Sequence, residues 1–213
     1  MAHPGIDDQV RADAAAARFD DWGLSTVIDE NIDAPVIPRD EFERLHGLAA
    51  LHAEWPIGNA GLLHVYGYLL STVQTPYGLK RDRWLDGALA NTLGLPTDAF
   101  LPSGTGTPLT RVTAAVLPRL VDPPPDALLV LEQPSLTGGT QALTVVLGTA
   151  EAGALLYGVR EGGRMRAITA FPLASASASF CRSLVDQAPR LRYNAATAVL
   201  APRSPLSPSL RTQ

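Results

Sequence analysis

The densest group of chemically reactive side chains lies between residues 64 and 84. His64 and Tyr68 are four residues apart, so a helix or a strand through this stretch places them on the same side. A histidine beside a phenol suits general acid or base catalysis, because the phenol can orient the imidazole. We therefore predict His64 and Tyr68, together with Lys80, as catalytic residues. The same stretch supplies predicted substrate-binding residues, which are Tyr66, Thr75, Tyr77, Arg81, Arg83 and Trp84.

Lys80 is the only lysine among the 17 lysine and arginine residues of the chain. Arginine cannot replace lysine where a compact ammonium or a deprotonated amine is required. With Arg81 and Arg83, Lys80 stands at the start of a predicted helix over 79–93, where cations oppose the helix dipole. A bound carboxylate or phosphate resolves that conflict, so the pattern predicts a site for an anion. The alternative is a solvated turn in which Asp82 pairs with the cations.

A second group of cations lies on a predicted β-hairpin around a Gly-Gly pair. Alternation along its strands brings Arg160, Arg164 and Arg166 close together. Arginines in such a group bind phosphate or carboxylate through paired hydrogen bonds, so Arg160 and Arg166 are predicted substrate-binding residues. Glu132, at the end of a strand and before a Ser/Thr/Gly loop, is a further candidate. The alternative is an exposed hairpin whose arginines pair with nearby acidic residues.

Composition restricts the classes of function. The net charge of -4 disfavours broad nucleic-acid binding. Four histidines and one cysteine offer few metal ligands, and the P-loop and dinucleotide-binding motifs are missing. We therefore expect no metal and no cofactor, and Cys181 has no partner for an intrachain disulfide. The longest apolar run, 60–73, is too short to span a bilayer, and no apolar leader follows Met1. We accordingly expect a cytoplasmic protein with no membrane segment.

The elements that position these residues predict an α+β fold. Hydrophobic periodicity and capping signals favour helices over 41–55, 60–73 and 79–93, whereas 108–121 begins like a strand and ends as a helical turn. A proline run at 123–125 separates this half from a set of strands. Short turns separate those strands, so neighbours must pair antiparallel. The predicted strands are 126–133, 141–148, 153–161 and 163–171.

A helix over 175–188 is predicted to cover one face of this meander, and 191–201 to return as a fifth strand. The expected architecture is a helical N-terminal half packed on an antiparallel four- to five-stranded meander with one covering helix. We expect residues 1–22 to form an arm and a short helix. Residues 23–201 then form a single α+β domain with an internal boundary near 122–126, and 202–213 form an extended tail.

These residues favour a cofactor-independent enzyme of the lyase, isomerase or cyclase type, serving biosynthesis. It would act by acid–base chemistry on a small anionic substrate that bears a carboxylate or a phosphate. One alternative is a metal-independent ribonuclease of the toxin type, which the pI of about 5.5 disfavours. Another is a non-catalytic interaction or assembly module that binds a partner chain, or forms a homodimer, through its terminal arms. A single cavity joining His64, Tyr68 and Lys80 to Arg160 or Arg166 would favour the enzyme.

Overall fold

The structure, a computed structural model, describes residues 5–134 and 140–186 and has an α+β fold. Short helices and two-stranded ribbons build its first half. The α-helices of this half are α1 (Ile6–Ala15), α2 (Arg39–Leu48), α3 (Tyr68–Leu70), α4 (Asp82–Leu85), α5 (Ala88–Thr92) and α6 (Pro108–Val121). A 3-10 helix forms at Arg18–Asp21, and a π-helix at Leu62–Gly67 runs directly into α3. The short strands are β1 (Leu24–Thr26), β2 (Ile28–Asp29), β3 (Ala34–Pro35), β4 (Ile57–Asn59), β5 (Gln74–Thr75) and β6 (Gly78–Leu79). β1 pairs with β4, β2 with β3, and β5 with β6.

The second half contains one antiparallel sheet of four strands, as predicted. The strands are β7 (Leu129–Pro134), β8 (Thr140–Gly148), β9 (Gly153–Glu161) and β10 (Arg164–Leu173), in the order β10-β9-β8-β7. Gly162 and Gly163 form the turn between β9 and β10, and their φ angles of 56° and 83° fit the predicted hairpin. α7 (Ala178–Asp186) follows within the predicted 175–188 helix. The predicted fifth strand (191–201) and the predicted tail (202–213) lie outside the described residues.

One hydrophobic core joins the two halves. α6 packs on β8, β9 and β10. Its inner face consists of Leu109, Val112, Val116 and Leu120, which are fully buried and spaced three or four residues apart. Trp84 from the first half belongs to the same core. The proline run at 123–125 therefore does not divide the apolar interior into two parts.

The prediction that 108–121 begins as a strand is wrong, because the whole segment is the helix α6. Its β-branched residues suggested a strand. Its start, however, is well suited to a helix: the Thr107 hydroxyl accepts a hydrogen bond from the Thr110 backbone N–H at 3.2 Å, and Pro108 occupies the first turn. Burial of one face against the sheet then outweighs the intrinsic strand preference.

The predicted helix over 79–93 is two short helices, α4 and α5. Gly87 separates them with a φ of 72°, a left-handed conformation that ends a helix. Residues 79–81 precede α4, so Lys80 lies in a turn and not at the start of a long helix. The helix predicted over 41–55 likewise ends at Leu48. The preference for helix over 60–73 is correct for residues 62–70, although most of that stretch is a π-helix.

Candidate active site

A cavity of about 630 Å³ lies beside the π-helix. The π-helix with α3 forms one wall, and residues 75–86 form the second together with Asp29, Glu30 and Asn31. The end of β10, the segment after it and α7 form the third wall. The polar groups in the lining that matter most are Asp29, Glu30, His64, Tyr68, Lys80 and Arg83. The apolar part of the lining includes Phe171, Leu173 and Phe180.

His64 and Tyr68 lie together, as their spacing predicted. Their rings are stacked, with centroids 4.8 Å apart and planes inclined by 25°. The Nε2 atom of His64 lies 3.1 Å from the Ser25 hydroxyl, and the indole N–H of Trp84 donates to the His64 carbonyl at 3.0 Å. Both rings are nearly inaccessible, with His64 2% and Tyr68 4% exposed. The pair is therefore held rigidly in the cavity wall.

Burial keeps His64 neutral. Loss of hydration, aided by the positive charges of Arg83 and Lys80, lowers the pKa of His64 to about 3. The backbone of Ile168 opposes this shift, but Nδ1 has no hydrogen-bond partner of good geometry among the residues that the structure describes. At neutral pH His64 is a neutral imidazole and not an imidazolium, so this environment does not suit a role as a catalytic acid. Its unpartnered Nδ1 is a buried polar atom within the cavity wall.

The Ser25–His64 contact does not form an accessible nucleophile. Ser25 has an exposed fraction of 0% and does not line the cavity. A hydroxyl in that position cannot reach a molecule in the cavity, so the contact holds the imidazole in place instead. The sequence offered no signal for this pairing, because β1 and the π-helix meet only in the folded chain.

Lys80 forms an ion pair with Asp29, and both side chains are largely buried, at 13% and 5% exposed. The other oxygen of Asp29 accepts hydrogen bonds from the backbone and side-chain N–H groups of Asn31 at 2.8 and 3.0 Å. Burial alone would raise the pKa of Asp29, but the hydrogen bonds from Lys80 and Asn31 outweigh it and lower that pKa. Burial and the charge of Arg83 lower the pKa of Lys80, while Asp29 opposes the change. The anion beside Lys80 is thus a carboxylate of the chain itself.

Arg83 has a different environment. Its guanidinium carbon lies 5.2 Å from the centroid of the Tyr68 ring and 5.7 Å from that of the Phe171 ring. One long hydrogen bond of 3.4 Å joins it to the Ala170 carbonyl. Within residues 5–134 and 140–186, no carboxylate lies within ion-pair distance of Arg83. Burial lowers the pKa of Arg83, opposed by Tyr68 and Asp29, but a guanidinium stays cationic at neutral pH.

Arg111 shows how this chain normally satisfies an arginine that lacks a carboxylate. Its guanidinium donates to the carbonyls of Ala99, Leu101, Thr105 and Gly106. Among the described residues, Arg83 has only the one long bond, although it faces a cavity. The Tyr68 hydroxyl likewise has no hydrogen-bond partner in the part of the chain that the structure describes. The cavity thus combines an unpaired cation with an unpartnered phenol.

Two further predicted residues line the cavity. The Thr75 hydroxyl donates to the Gly78 carbonyl at 2.8 Å, which shapes the turn between β5 and β6. Tyr77, in the same turn, is 82% exposed. Arg81 does not line the cavity. Its Nε atom lies 3.9 Å from the carboxylate of Asp82, which does line it. The predicted cluster at 64–84 therefore contributes most of one wall.

The remaining predicted residues lie elsewhere. Tyr66 faces the opposite side of the π-helix, where its hydroxyl donates to the buried carboxylate of Asp13, and Trp84 is a core residue. On the sheet, Arg160 pairs with Glu132 at 3.6 Å, and Arg166 pairs with Glu161 at 3.3 Å. These residues do not reach the cavity, because it adjoins the end of β10 that is remote from the hairpin turn. The two basic groups therefore do not meet in this cavity, and the condition that would have favoured the enzyme is not met through Arg160 or Arg166.

Asp29, Glu30, Phe171, Leu173 and Phe180 line the cavity without having been predicted. The Asp29–Asn31 spacing is typical of a side-chain-stabilised turn, and this was the one local signal. The two aromatic residues and Leu173 follow strand and helix patterns that do not reveal which face meets a cavity. Only the folded structure shows that these three residues line the cavity.

Comparisons of the chain with protein-family models, with curated proteins and with solved structures gave no match. Across residues 5–134 and 140–186, no three His, Cys, Asp or Glu side chains are grouped so that they could hold a metal ion. In the same residues, no helix has both the length and the apolar character required to cross a membrane. Conclusions about function therefore depend on the geometry of the cavity.

Proposed function

We propose that the chain is a cofactor-independent enzyme that binds a small anionic substrate in this cavity and acts on it by acid–base chemistry of the lyase, isomerase or cyclase type. The observation that carries the proposal is Arg83. A partly buried guanidinium without a carboxylate partner, in a cavity large enough for a small molecule, favours a bound carboxylate or phosphate. We propose the cytoplasm as its location and biosynthesis as its context.

Tyr68 is the proposed hydrogen-bond and proton donor. Burial raises the pKa of Tyr68 to about 12, although Arg83 acts in the opposite direction. The phenol is therefore protonated at neutral pH and can donate to a substrate oxygen that gains negative charge. Arg83 lies beside the same ring and stabilises that charge. His64, whose ring is stacked on the Tyr68 ring, serves as a positioning residue for Tyr68.

Glu30 is the proposed proton acceptor. It is exposed, lines the cavity and has no ion pair among the residues that the structure describes. Asp29 suits the role less well, because its two oxygens are occupied by Lys80 and Asn31. In the proposed step, Glu30 takes a proton from a carbon beside a substrate carbonyl, and the electron pair moves to the carbonyl oxygen, where Tyr68 donates. Return of the proton, loss of a leaving group or ring closure completes the reaction.

The ribonuclease alternative has less support. The arginines of the β9–β10 hairpin are held by neighbouring acids, since Arg164 pairs with Asp21 at 3.0 Å and Arg166 pairs with Glu161. They also lie apart from His64 and Tyr68. An RNA-cleaving site needs its cations near its acid–base groups, and this separation disfavours that arrangement.

The experiment is a screen followed by an exchange assay. Small carboxylates and phosphates are first ranked by the increase in melting temperature that they produce. Compounds that stabilise the protein are then incubated in D₂O, and deuterium incorporation at carbon is followed by NMR. We expect the wild type to catalyse exchange, and the Tyr68→Phe and Glu30→Gln variants to lose roughly 100-fold or more of that rate. Binding without any exchange in the wild type would leave a binding protein and refute the proposed enzyme.

A further inference from the structure

We propose that the ligand of this cavity is a monocarboxylate with an apolar body, and not a phosphate ester. This inference builds on the proposed function, because it assigns the substrate class of the same site. It depends on three features of the cavity, namely its charge balance, the surroundings of Arg83 and its apolar wall.

Among the described lining residues, ion pairing leaves one cation and two carboxylates without a partner of opposite charge. Lys80 is neutralised by Asp29, and Arg81, outside the lining, offsets Asp82. Arg83 then remains without a partner, while Glu30 and Asp86 are acidic residues that also line the cavity. The single positive charge of Arg83 would neutralise a bound monoanion. A phosphate ester carries close to two negative charges at neutral pH, so its second charge would face carboxylates without a cation to balance it.

The surroundings of Arg83 favour a planar anion. Aromatic rings of Tyr68 and Phe171 lie near its guanidinium, and its one hydrogen bond within residues 5–134 and 140–186 is the long one to the Ala170 carbonyl. N–H groups of the planar fork remain for a ligand, and two parallel bonds to a carboxylate match that fork. The Tyr68 hydroxyl adds one donor beside it. The described lining offers no further unpaired cation for the third oxygen of a phosphate.

The third wall favours an apolar body. Phe171 and Leu173 from β10 and Phe180 from α7 line the cavity. The Phe171 ring also lies beside the Arg83 guanidinium, so this apolar wall adjoins the proposed anion site. A volume of about 630 Å³ far exceeds what a carboxylate group alone would fill. Each buried apolar carbon of the ligand would add to its affinity in such a site, because it leaves water. A compound with an aromatic or branched chain of several carbons therefore fits better than a small polar acid.

The test compares four probes by isothermal titration calorimetry on the full chain. The probes are 4-phenylbutanoate, 4-phenylbutyl phosphate, 4-phenylbutanamide and acetate. We expect 4-phenylbutanoate to bind at least about tenfold more tightly than each of the other three, because it alone joins one negative charge to an apolar body. This comparison uses the wild type only, so it does not depend on the folding of any variant.

Two variants locate the binding. Arg83→Gln is expected to weaken 4-phenylbutanoate binding by roughly tenfold or more. Arg160→Gln, which removes an ion-paired arginine remote from the cavity, is expected to leave it unchanged. Equal or tighter binding of the phosphate, binding of acetate as tight as that of 4-phenylbutanoate, or no binding of any probe would overturn the inference. The proposed function fails separately, when bound compounds of either class show no deuterium exchange in the wild type.

Discussion

Lys80, the single lysine of the chain, forms an ion pair with Asp29 of the short strand β2. The carboxylate of Asp29 is almost fully buried. The other 16 of the 17 lysine and arginine residues of the chain are arginines. The ammonium is compact enough to enter the space between Asp29 and the Tyr68 ring, whose centroid lies 5.7 Å from Nζ. A planar guanidinium requires more room and a different set of acceptors. The buried carboxylate of Asp29 thus explains why residue 80 is a lysine. Arg83 is then the cation of the cavity that we propose for a ligand.

Replacing Lys80 by alanine should destabilise the protein. The change leaves the Asp29 carboxylate buried without its cation, which typically costs about 3 kcal/mol of unfolding free energy. This is opposite to the slight gain expected for removing a cation from a helix start. Urea unfolding at neutral pH measures the effect, with Arg11→Ala as a control, because the Arg11–Asp8 pair is exposed and contributes less than about 1 kcal/mol. Equal stability of Lys80→Ala and the wild type would show that the buried pair has no structural role.

Stability should fall as the solution is acidified from pH 6.5. The pKa of His64 is about 3 in the folded protein, below its ordinary value of 6.5, so between these limits the unfolded chain binds more protons. The unfolding free energy should therefore drop by up to about 1.4 kcal/mol for each pH unit. His46 adds in the same direction, because burial lowers its pKa as well. His64→Gln should remove part of this slope in denaturant titrations at pH 7, 6 and 5. An unchanged slope in that variant would mean that His64 binds its proton at the same pH in the folded and the unfolded protein.

Gly87→Ala should be destabilising, by roughly 1–3 kcal/mol. The residue has a φ of 72°, and an added Cβ would collide with the side chain and the carbonyl oxygen of Thr97. Gly47→Ala is the matched control. Gly47 lies inside α2, and no atom is within 4 Å of its added Cβ, so alanine should stabilise it by up to about 1 kcal/mol. Thermal unfolding of both variants would test this, and a Gly87→Ala protein as stable as the wild type would contradict the left-handed assignment.

Cys181→Ala should change the unfolding free energy by at most about 1 kcal/mol and leave binding intact. The thiol is only partly buried, and its sulfur makes a weak contact with the Ala176 carbonyl at 3.9 Å. Calorimetric titration with 4-phenylbutanoate and urea unfolding together measure both properties. Loss of deuterium exchange in a well-folded Cys181→Ala protein would instead indicate a cysteine mechanism.

Local signals in the sequence identified the antiparallel sheet and the contact between His64 and Tyr68. The Gly-Gly turn sets the β9–β10 pairing by itself, and a spacing of four residues brings two side chains together in any helix. The Lys80–Asp29 pair could not be predicted, because it joins strands that meet only after the chain has folded. For a related reason, the sequence could not show that the arginines on the hairpin lie apart from the cavity. Alternation indicates the face of a strand, but not which end of the sheet adjoins a cavity.

The π-helix at Leu62–Gly67 changes how this wall would respond to a change in the length of the chain. Its hydrogen bonds join residues five apart, so the turn contains an extra residue compared with an α-helix. Deletion of one residue from this segment would let it wind as an ordinary α-helix. Because the same turn would then be completed by one residue fewer, Tyr68 and the residues after it would keep roughly their orientation about the helix axis. A one-residue deletion from a regular α-helix would instead rotate all later residues by roughly 100°, so the wall of this cavity should tolerate the loss of one residue better than an α-helix would.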